Sequence, residues 1–189
     1  MNLRSDDAVF IVFDKPADQL SYKVENADYK TISVIDGPWT VTFQDGRGAP
    51  SEVTFKELLP LNESEDPRIR YFSGTASYLC DFNYSGPLDK LVSLDLGDVK
   101  NVAEVYLNGV PVGTLWKKPF RADISACLRP GKNNLKIRVT NLWVNRIVGD
   151  MQPDCKEKVS YTHQPFYKAG DPILPSGLIG PLRIMVRDY

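Results

Sequence analysis

The chain has 189 residues, of which 42% are hydrophobic, 25% charged and 11% aromatic, enough for one globular domain with a sizeable buried core. Its 23 basic and 24 acidic residues give a formal net charge of -1, which argues against a nucleic-acid-binding surface. No apolar stretch approaches the roughly 18 to 20 residues of a membrane-spanning helix, and no long polar tract indicates disorder.

The N-terminal residues do not resemble a targeting segment. A signal peptide has a basic start followed by an apolar run of about 7 to 15 residues, and the first residues, MNLRSDDAVF, have neither. We therefore expect no export signal in this chain. Its localisation stays open, because it could be cytoplasmic, a mature form, or a piece of a longer protein that is secreted or periplasmic.

The dominant sequence period is two, which predicts β-strands. In chain order we expect strands at Ala8–Phe13, Trp39–Phe43, Thr75–Tyr84, Leu91–Leu96, Val102–Leu107, Val110–Trp116, Asn134–Thr140 and Leu182–Val186. The clearest signal is the Asn108-Gly109 pair between two alternating runs, since both central residues of a type I′ hairpin turn need positive φ. A second turn is expected at Pro130–Asn133, before the strand that begins at Asn134.

Helical signals are few and short. Asp123–Leu128 predicts one turn, capped by Asp123 or Ser125, and Glu57–Leu61 predicts another. Residues 143–181 contain five prolines and no clear strand, which predicts a long loop of the kind that often carries function. Many short strands separated by turns favour an all-β antiparallel sandwich.

The sequence carries no standard catalytic or metal-binding signature. It has no nucleophile elbow, no HExxH, no phosphate-binding loop and no dinucleotide fingerprint. The single histidine, His163, lies in a proline-rich segment, where a surface role is more common than catalysis. The three cysteines have no metal-ligand spacing. We therefore expect no catalytic residue, no metal ligand and no cofactor, while a structural calcium ion stays open.

The tryptophans suggest contact with sugars, because flat aromatic side chains can stack on the apolar faces of pyranose rings. Trp39 lies in an alternating strand and is expected in the core. Trp116, at the end of a strand, fits either a core or a stacking role. Trp143 is the best stacking candidate, although it could equally cap the core; polar side chains near it, including Asn145 and Arg146, could bind sugar hydroxyls.

One long stretch resembles a known class of domain. The run Ser93–Ile124, which contains DLGDVKNVAEVYLNGVPVG, is similar to the sugar-binding domain of family 2 glycoside hydrolases. It is closer still to the carboxy-terminal β-domain of family 106 α-L-rhamnosidase-like enzymes. Further similar stretches are Tyr71–Tyr78, Asn141–Asp150 and Leu174–Leu182, so that the resemblance covers roughly residues 37–187.

The resemblance implies a galactose-binding-like jelly roll of two antiparallel sheets over residues 37–189. Residues 1–36 would then hold N-terminal strands that continue from an upstream domain, because Ala8–Phe13 resembles a strand that follows the catalytic barrel in such enzymes. The catalytic acid and base of those enzymes lie in the barrel, so the resemblance transfers no catalytic residue to this chain.

The resemblance also implies candidate sugar contacts. Family 2 domains present an aspartate in a D-x-W-x-x-S-G-I pattern, which Asp171-Pro-Ile-Leu-Pro-Ser-Gly-Leu178 matches at Asp, Ser and Gly but not at Trp. Asp171 is therefore either a sugar ligand or a plain loop carboxylate. The complete candidate set for carbohydrate binding is Trp116, Asn141, Trp143, Asn145, Arg146 and Asp171.

The leading interpretation is a non-catalytic accessory domain of a glycoside hydrolase, with carbohydrate and a separate catalytic barrel as its partners and neither nucleic acid nor membrane. The alternatives are a free-standing lectin-like module, a structural or protein-interaction sandwich, and an autonomous hydrolase.

Overall fold

The computed structural model describes residues 10, 12–16, 28–164 and 166–188, and these form an all-β protein with a few helical turns. The strands are β1 Asp28–Ile35, β2 Trp39–Phe43, β3 Glu52–Phe55, β4 Thr75–Tyr84, β5 Val92–Asp95, β6 Asp98–Lys100, β7 Val102–Leu107, β8 Val110–Leu115, β9 Arg121–Asp123, β10 Gly131–Thr140, β11 Gly177–Gly180 and β12 Leu182–Asp188. The helices are α1 Pro67–Arg70 and α2 Val144–Asp150, and Leu61–Glu63 is a single 3₁₀ turn.

Two antiparallel sheets make up the body. One has six strands in the order β3-β2-β4-β10-β7-β8, and the other has four in the order β1-β12-β5-β9. A small third sheet pairs β11 with β6. The predicted fold class, an all-β sandwich of two antiparallel sheets, is confirmed. Among the described residues no helix is both long and apolar enough to cross a membrane.

The core follows from strict alternation in the central strands. Along β4 and β10 the register pairs Tyr78 with Ile137, and Ile137 also pairs with Val105 of β7. All three side chains are buried, with at most 1% of each exposed. Because side chains alternate between the two faces of a strand, their neighbours point to the outer face. Trp39 is fully buried, as the sequence predicts.

The predicted hairpin turn is confirmed. Asn108 has φ 52° and Gly109 has φ 80°, the positive values that a type I′ turn requires. The Asn108 side chain also donates from Nδ2 to the Cys127 carbonyl at 2.8 Å and to Asn133 Oδ1 at 2.9 Å. Its Oδ1 accepts from the Asn134 N–H at 3.0 Å. The asparagine therefore both forms the turn and ties it to the neighbouring strand.

The helical predictions are only partly confirmed. Asp123 accepts from the Ser125 N–H at 2.9 Å, and the Leu128 N–H donates to the Ile124 carbonyl at 3.0 Å, so one turn forms there as expected. The turn predicted at Glu57–Leu61 is wrong, because helical turns form later, at Leu61–Glu63 and Pro67–Arg70. Asp66 caps the second of these and proline is its first residue, two start signals that the hydrophobic pattern does not show.

Other strand boundaries differ from the prediction. β10 begins at Gly131, inside the segment Pro130–Asn133 that was predicted to be a turn. The alternation pattern did not identify β1, which lies within residues 1–36, where the resemblance implied N-terminal strands; it pairs with β12. Of the predicted strand Ala8–Phe13, residues 8, 9 and 11 lie outside the described residues, and the others are in no strand. The division between residues 1–36 and 37–189 stays a prediction.

Candidate functional site

Several connections leave the six-stranded sheet at the same end, which we call the loop end. The register pairs Thr75 with Thr140, and Thr140 with Val102. The neighbouring strand β8 ends at Leu115, which pairs with Ala103. The segments that begin or end here are residues 44–50, 72–74, 100–101, 116–120 and 141–143. Antiparallel pairing therefore brings together parts of the chain that are far apart in sequence.

A cleft of about 210 Å³ opens at this end. Its walls are Lys100, Asn101, Leu142, Asn145, Leu174, Pro175 and Ser176. Three of these side chains are apolar and four can form hydrogen bonds, and none is a carboxylic acid. Concave sites with an apolar lining and a few polar groups are typical of small-molecule binding. The cleft can therefore hold a small polar ligand but offers no carboxylate pair for acid–base chemistry.

Asn145 is the predicted site residue that lines the cleft. Its side chain is almost fully buried, with Nδ2 donating to the Leu174 carbonyl at 2.7 Å and Oδ1 accepting from the Leu174 N–H at 2.8 Å. Both polar atoms of the amide are thereby used in fixing the backbone that forms one wall. Asn145 shapes the cleft by these bonds.

Arg146 lies next to Asn145 in α2 and forms a buried ion pair. Its NH2 is 2.9 Å from Asp150 Oδ1, and only 8% and 1% of the two side chains are exposed. Asp150 Oδ2 also accepts from the Ser160 N–H at 2.7 Å, and Oδ1 accepts from the Val159 N–H at 3.2 Å. The backbone N–H of Arg146 donates to the Ser73 Oγ at 3.1 Å. The pair therefore joins α2 to two other segments.

Asn141 and Trp143 are also occupied by contacts within the protein. Asn141 Nδ2 donates to the Phe72 carbonyl at 2.9 Å, and its Oδ1 accepts from the Gly74 N–H at 2.8 Å. Trp143 is 42% exposed, and the guanidinium carbon of Arg47 lies 4.6 Å from its ring centroid. A cation above an aromatic face is attracted by the ring's quadrupole, so this arginine covers one of the two faces available for stacking.

Trp116 and Asp171 stand apart from this group. Trp116 follows β8 at the loop end and is 70% exposed. Asp171 Oδ2 accepts from the Lys168 N–H at 2.8 Å, and the Asp171 N–H donates to the Lys168 carbonyl at 3.0 Å. These bonds close a local turn. Neither residue lines the cleft, whereas Asn141, Asn145 and Arg146 form one connected group around α2.

A buried tyrosine is hydrogen-bonded to the backbone close to the cleft. Tyr78 Oη accepts from the Leu178 N–H at 3.2 Å, two residues beyond the cleft residue Ser176. Complete burial raises the pKa of Tyr78, because a phenolate would be stripped of water. A Cβ on Gly177 would lie 2.5 Å from the same hydroxyl, and Gly177 has φ +90°, so glycine is required there.

Sequence reasoning missed α2 and Asp150. The helix has seven residues, no side-chain cap and mostly polar buried residues, namely Asn145, Arg146 and Asp150. It therefore lacks the apolar stripe by which amphipathic helices are found. The i, i+4 spacing of Arg146 and Asp150, which would pair the two side chains on a helix, is the one sequence signal that could have indicated α2. Among the described residues no group of three or more His, Cys, Asp or Glu side chains could hold a metal ion.

Comparisons with known proteins place the chain among parts of longer glycoside hydrolases. It is 37% identical over 196 residues to a protein of Formosa agariphila named "Putative beta-glucuronidase", matching 88% of this chain and 17% of that protein. Its fold matches a rhamnosidase from Novosphingobium sp. PP1Y with a TM-score of 0.85 and 42% identity, over 92% of this chain and 17% of the rhamnosidase. No family model matches the chain.

A more distant structure shares the fold alone. The β-glucuronidase of Ruminococcus gnavus matches with a TM-score of 0.61 and 20% identity, over 88% of this chain and 30% of that enzyme. The chain thus spans about a sixth of the two relatives of higher identity. Its homologues are glycoside hydrolases, as the resemblance predicted; assignment to family 2 or family 106 and the galactose-binding-like classification stay predictions.

Proposed function

We propose that this chain is a non-catalytic accessory β-sandwich domain of a glycoside hydrolase. The observation that carries the proposal is coverage: nearly the whole chain aligns with only 17% of a rhamnosidase at a TM-score of 0.85. The rest of such an enzyme has ample length for a separate catalytic barrel. Fold similarity alone does not determine function, but identity of 42% over this length supports a shared architecture.

The composition of the cleft agrees with a supporting role. Lys100, Asn101 and Ser176 can form hydrogen bonds to hydroxyl groups, while Leu142 and Leu174 offer apolar contact. Glycoside hydrolysis ordinarily needs two carboxyl groups on opposite sides of the scissile bond, and the cleft wall has none. We therefore assign this domain to saccharide binding and positioning, with hydrolysis of the O-glycosyl bond by the barrel.

A structural or protein-interaction role is the second candidate. Leu142, Trp143 and Leu174 are 50%, 42% and 41% exposed beside the cleft. Apolar side chains that remain exposed close together often mark a protein contact. In this case the loop end would pack against the catalytic domain without touching a sugar.

The decisive experiment measures hydrolysis by the chain alone. Purified residues 1–189 are incubated with 4-nitrophenyl α-L-rhamnoside and 4-nitrophenyl β-D-glucuronide, and released nitrophenol is followed. We expect no turnover, while the same substrates tested with the longer protein encoded by the surrounding reading frame serve as the control. Turnover by residues 1–189 that disappears on replacing one carboxylate would overturn the proposal, as would a surrounding frame that encodes no catalytic domain.

A further inference from the structure

Two of the segments that line the cleft are joined by backbone pairing and held by further hydrogen bonds. Lys100 pairs with Gly177 in the small sheet of β6 and β11. Next to Gly177, the Ser176 carbonyl accepts from the Leu61 N–H at 2.9 Å, and the Ser176 N–H donates to Asn62 Oδ1 at 3.3 Å. The cleft is therefore preformed, which lowers the entropy cost of binding a ligand there.

Ser176 contributes an unused hydrogen-bond donor to the lining of the cleft. Only 3% of this residue is exposed. Its hydroxyl oxygen accepts from Asn145 Nδ2 at a long 3.5 Å, whereas the shorter bond of that amide goes to the Leu174 carbonyl at 2.7 Å. The Ser176 hydroxyl donates no hydrogen bond to any residue that the structure describes. Because burying a hydroxyl donor without an acceptor is unfavourable, this group is suited to donate to a ligand.

Two further residues add hydrogen-bonding groups to the same lining. Lys100 Nζ lies 3.0 Å from Asp98 Oδ1, and the lysine side chain is 29% exposed. An ammonium group has three donors, so two remain beyond this ion pair. The Asn101 N–H donates to the Thr140 carbonyl at 3.1 Å, which leaves its side-chain amide without a partner among the described residues. Since no lining side chain is a carboxylate, the cleft mainly offers donors.

The volume of the cleft limits its ligand to one small unit. At about 210 Å³ it is smaller than the roughly 300–1,000 Å³ of pockets that hold drug-sized molecules. Leu142 and Leu174 are 50% and 41% exposed, so each leaves apolar surface free beside the donors. A matching ligand is about the size of one ring and has both an apolar face and acceptor oxygens. A single pyranose unit has C–H groups on its ring face and oxygens around its edge.

We propose that the cleft is a subsite for one pyranose unit, in which Ser176 and Lys100 donate to an oxygen of the sugar beside the apolar side chain of Leu174. This inference rests on the proposed function, because relatedness to glycoside hydrolases selects a saccharide among small ligands that carry acceptor oxygens. The accepting atom is a carboxylate or a hydroxyl oxygen. Lys100 favours the carboxylate, since hydrogen bonds between opposite charges are stronger than neutral ones.

The test titrates isotope-labelled residues 1–189 with two probes and follows the backbone amides by NMR. Methyl β-D-glucuronide carries a carboxylate, whereas methyl α-L-rhamnoside carries only hydroxyl groups. We expect weak binding, with chemical-shift changes concentrated at the amides of Lys100, Asn101 and Ser176. The glucuronide should bind more tightly. A rhamnoside affinity that equals or exceeds it would keep the subsite and overturn the preference for a carboxylate.

Ser176→Ala distinguishes a ligand contact from a structural one. The hydroxyl proton has no acceptor among the described residues, so its removal should leave the free energy of unfolding nearly unchanged. The same change should weaken binding about two- to tenfold, the range for loss of one hydrogen bond. Lys100→Met keeps most of the aliphatic side chain, and it should weaken binding of the glucuronide more than that of the rhamnoside.

The matched controls lie at the opposite end of the six-stranded sheet, where Lys132 pairs with Asn83. Ser85→Ala changes an exposed serine, and Lys132→Met changes a lysine that lies 2.9 Å from Asp81. Both variants should bind the probes as the unaltered chain does.

The inference is overturned if neither probe shifts the cleft amides, or if shifts appear only elsewhere. It is also overturned if the Ser176→Ala, Lys100→Met double variant binds both probes as tightly as the unaltered chain. These results leave the proposed function standing, because the accessory role is tested by hydrolysis and not by sugar affinity. Turnover by residues 1–189 alone would instead contradict the accessory role without changing which residues bind the sugar.

Discussion

The sandwich core and the surroundings of α2 are stabilised by different interactions. The core strands bury alternating apolar side chains such as Leu107 and Leu135, which are fully inaccessible to water. In α2 most of the buried residues are instead polar or charged, namely Asn145, Arg146 and Asp150. Apolar packing is non-directional, whereas each buried polar group requires its own partner. This fold therefore uses hydrophobic burial to make the body and directed hydrogen bonds to place its loops.

The largest effect is expected where a buried charge loses its partner. Asp150→Ala would leave Arg146, whose side chain is 8% exposed, without its ion-pair partner. Removing one member of a buried ion pair costs about 3–5 kcal/mol, because the remaining charge stays desolvated. Urea unfolding followed by tryptophan fluorescence measures this loss. Trypsin should also cut the segment 151–160 faster under native conditions, since Lys156 and Lys158 lie next to Val159 and Ser160, which Asp150 holds.

Asp81→Ala is the matched control for that carboxylate. Asp81 is 2.9 Å from Lys132, but the side chains are 46% and 74% exposed. Water screens such a pair, so the free energy of unfolding should change far less than in Asp150→Ala. Equal losses in the two variants would contradict the distinction between buried and exposed pairs.

A core substitution should lower stability without loosening the segment 151–160 that Asp150 holds. Leu135→Ala removes a side chain with no exposed surface from the centre of β10, at a cost of about 2–5 kcal/mol. Leu79→Ala, on the partly exposed face of β4, should cost less. Both losses are read from urea unfolding. Selective acceleration of tryptic cleavage at Lys156 and Lys158 in Leu135→Ala under native conditions would contradict this separation of core and loop stability.

Removing the hydrogen bonds between Asn145 and the Leu174 backbone should loosen the structure only near Leu174. Asn145→Ala removes the donor and acceptor that hold Leu174 at 2.7 and 2.8 Å. These two hydrogen bonds are only partly buried, so leaving the backbone groups unpaired costs at most about 1–3 kcal/mol. Hydrogen exchange at the Leu174 amide should accelerate by the corresponding factor. Asn134→Ala removes an exposed hydrogen bond to Asp81 and serves as the control, with exchange at Leu174 unchanged.

The same contrast explains what could be predicted from the sequence. Strands such as Trp39–Phe43 and Val102–Leu107 can be predicted from the alternation of apolar and polar residues. The Asn108-Gly109 turn can be predicted because a type I′ turn needs residues that tolerate positive φ. Such signals are local. The attachments around α2 join residues far apart in the chain, for example Arg146 with Ser73, and no spacing in the sequence encodes that meeting.

The predicted site illustrates the same limit. The sequence suggested Asn145 and Arg146 as sugar ligands, and the structure places Asn145 in the wall of the cleft. Residue type could not show that Asn145 is hydrogen-bonded to the backbone of Leu174, or that Arg146 forms an ion pair with Asp150. An asparagine that binds a ligand and one that binds a carbonyl look identical in a sequence. Only the tertiary partners distinguish them.

The smallest change in the free energy of unfolding is expected at Asp66, the cap residue of α1, where the change should depend on pH. Asp66 accepts from the Arg68 N–H at 2.9 Å and from the Arg68 guanidinium at 2.7 Å. The hydrogen bond from the Arg68 side chain holds the pKa of Asp66 below its usual value, with burial opposing this. Because the folded-state pKa is lowered, the stabilisation is complete above the unfolded-state pKa near 4 and is lost as pH falls through the folded-state value.

The variant Asp66→Asn distinguishes the contribution of the carboxylate charge from that of the helix-capping hydrogen bond. Asparagine can still accept from the Arg68 N–H at the start of α1, but it neither pairs with the guanidinium nor titrates. The wild-type chain should therefore exceed Asp66→Asn in unfolding free energy by a small amount at pH 7, and the difference should shrink below about pH 4. A difference that grows as pH falls would reverse the sign. A loss as large as that of Asp150→Ala would show that exposure does not govern the strength of these carboxylate contacts.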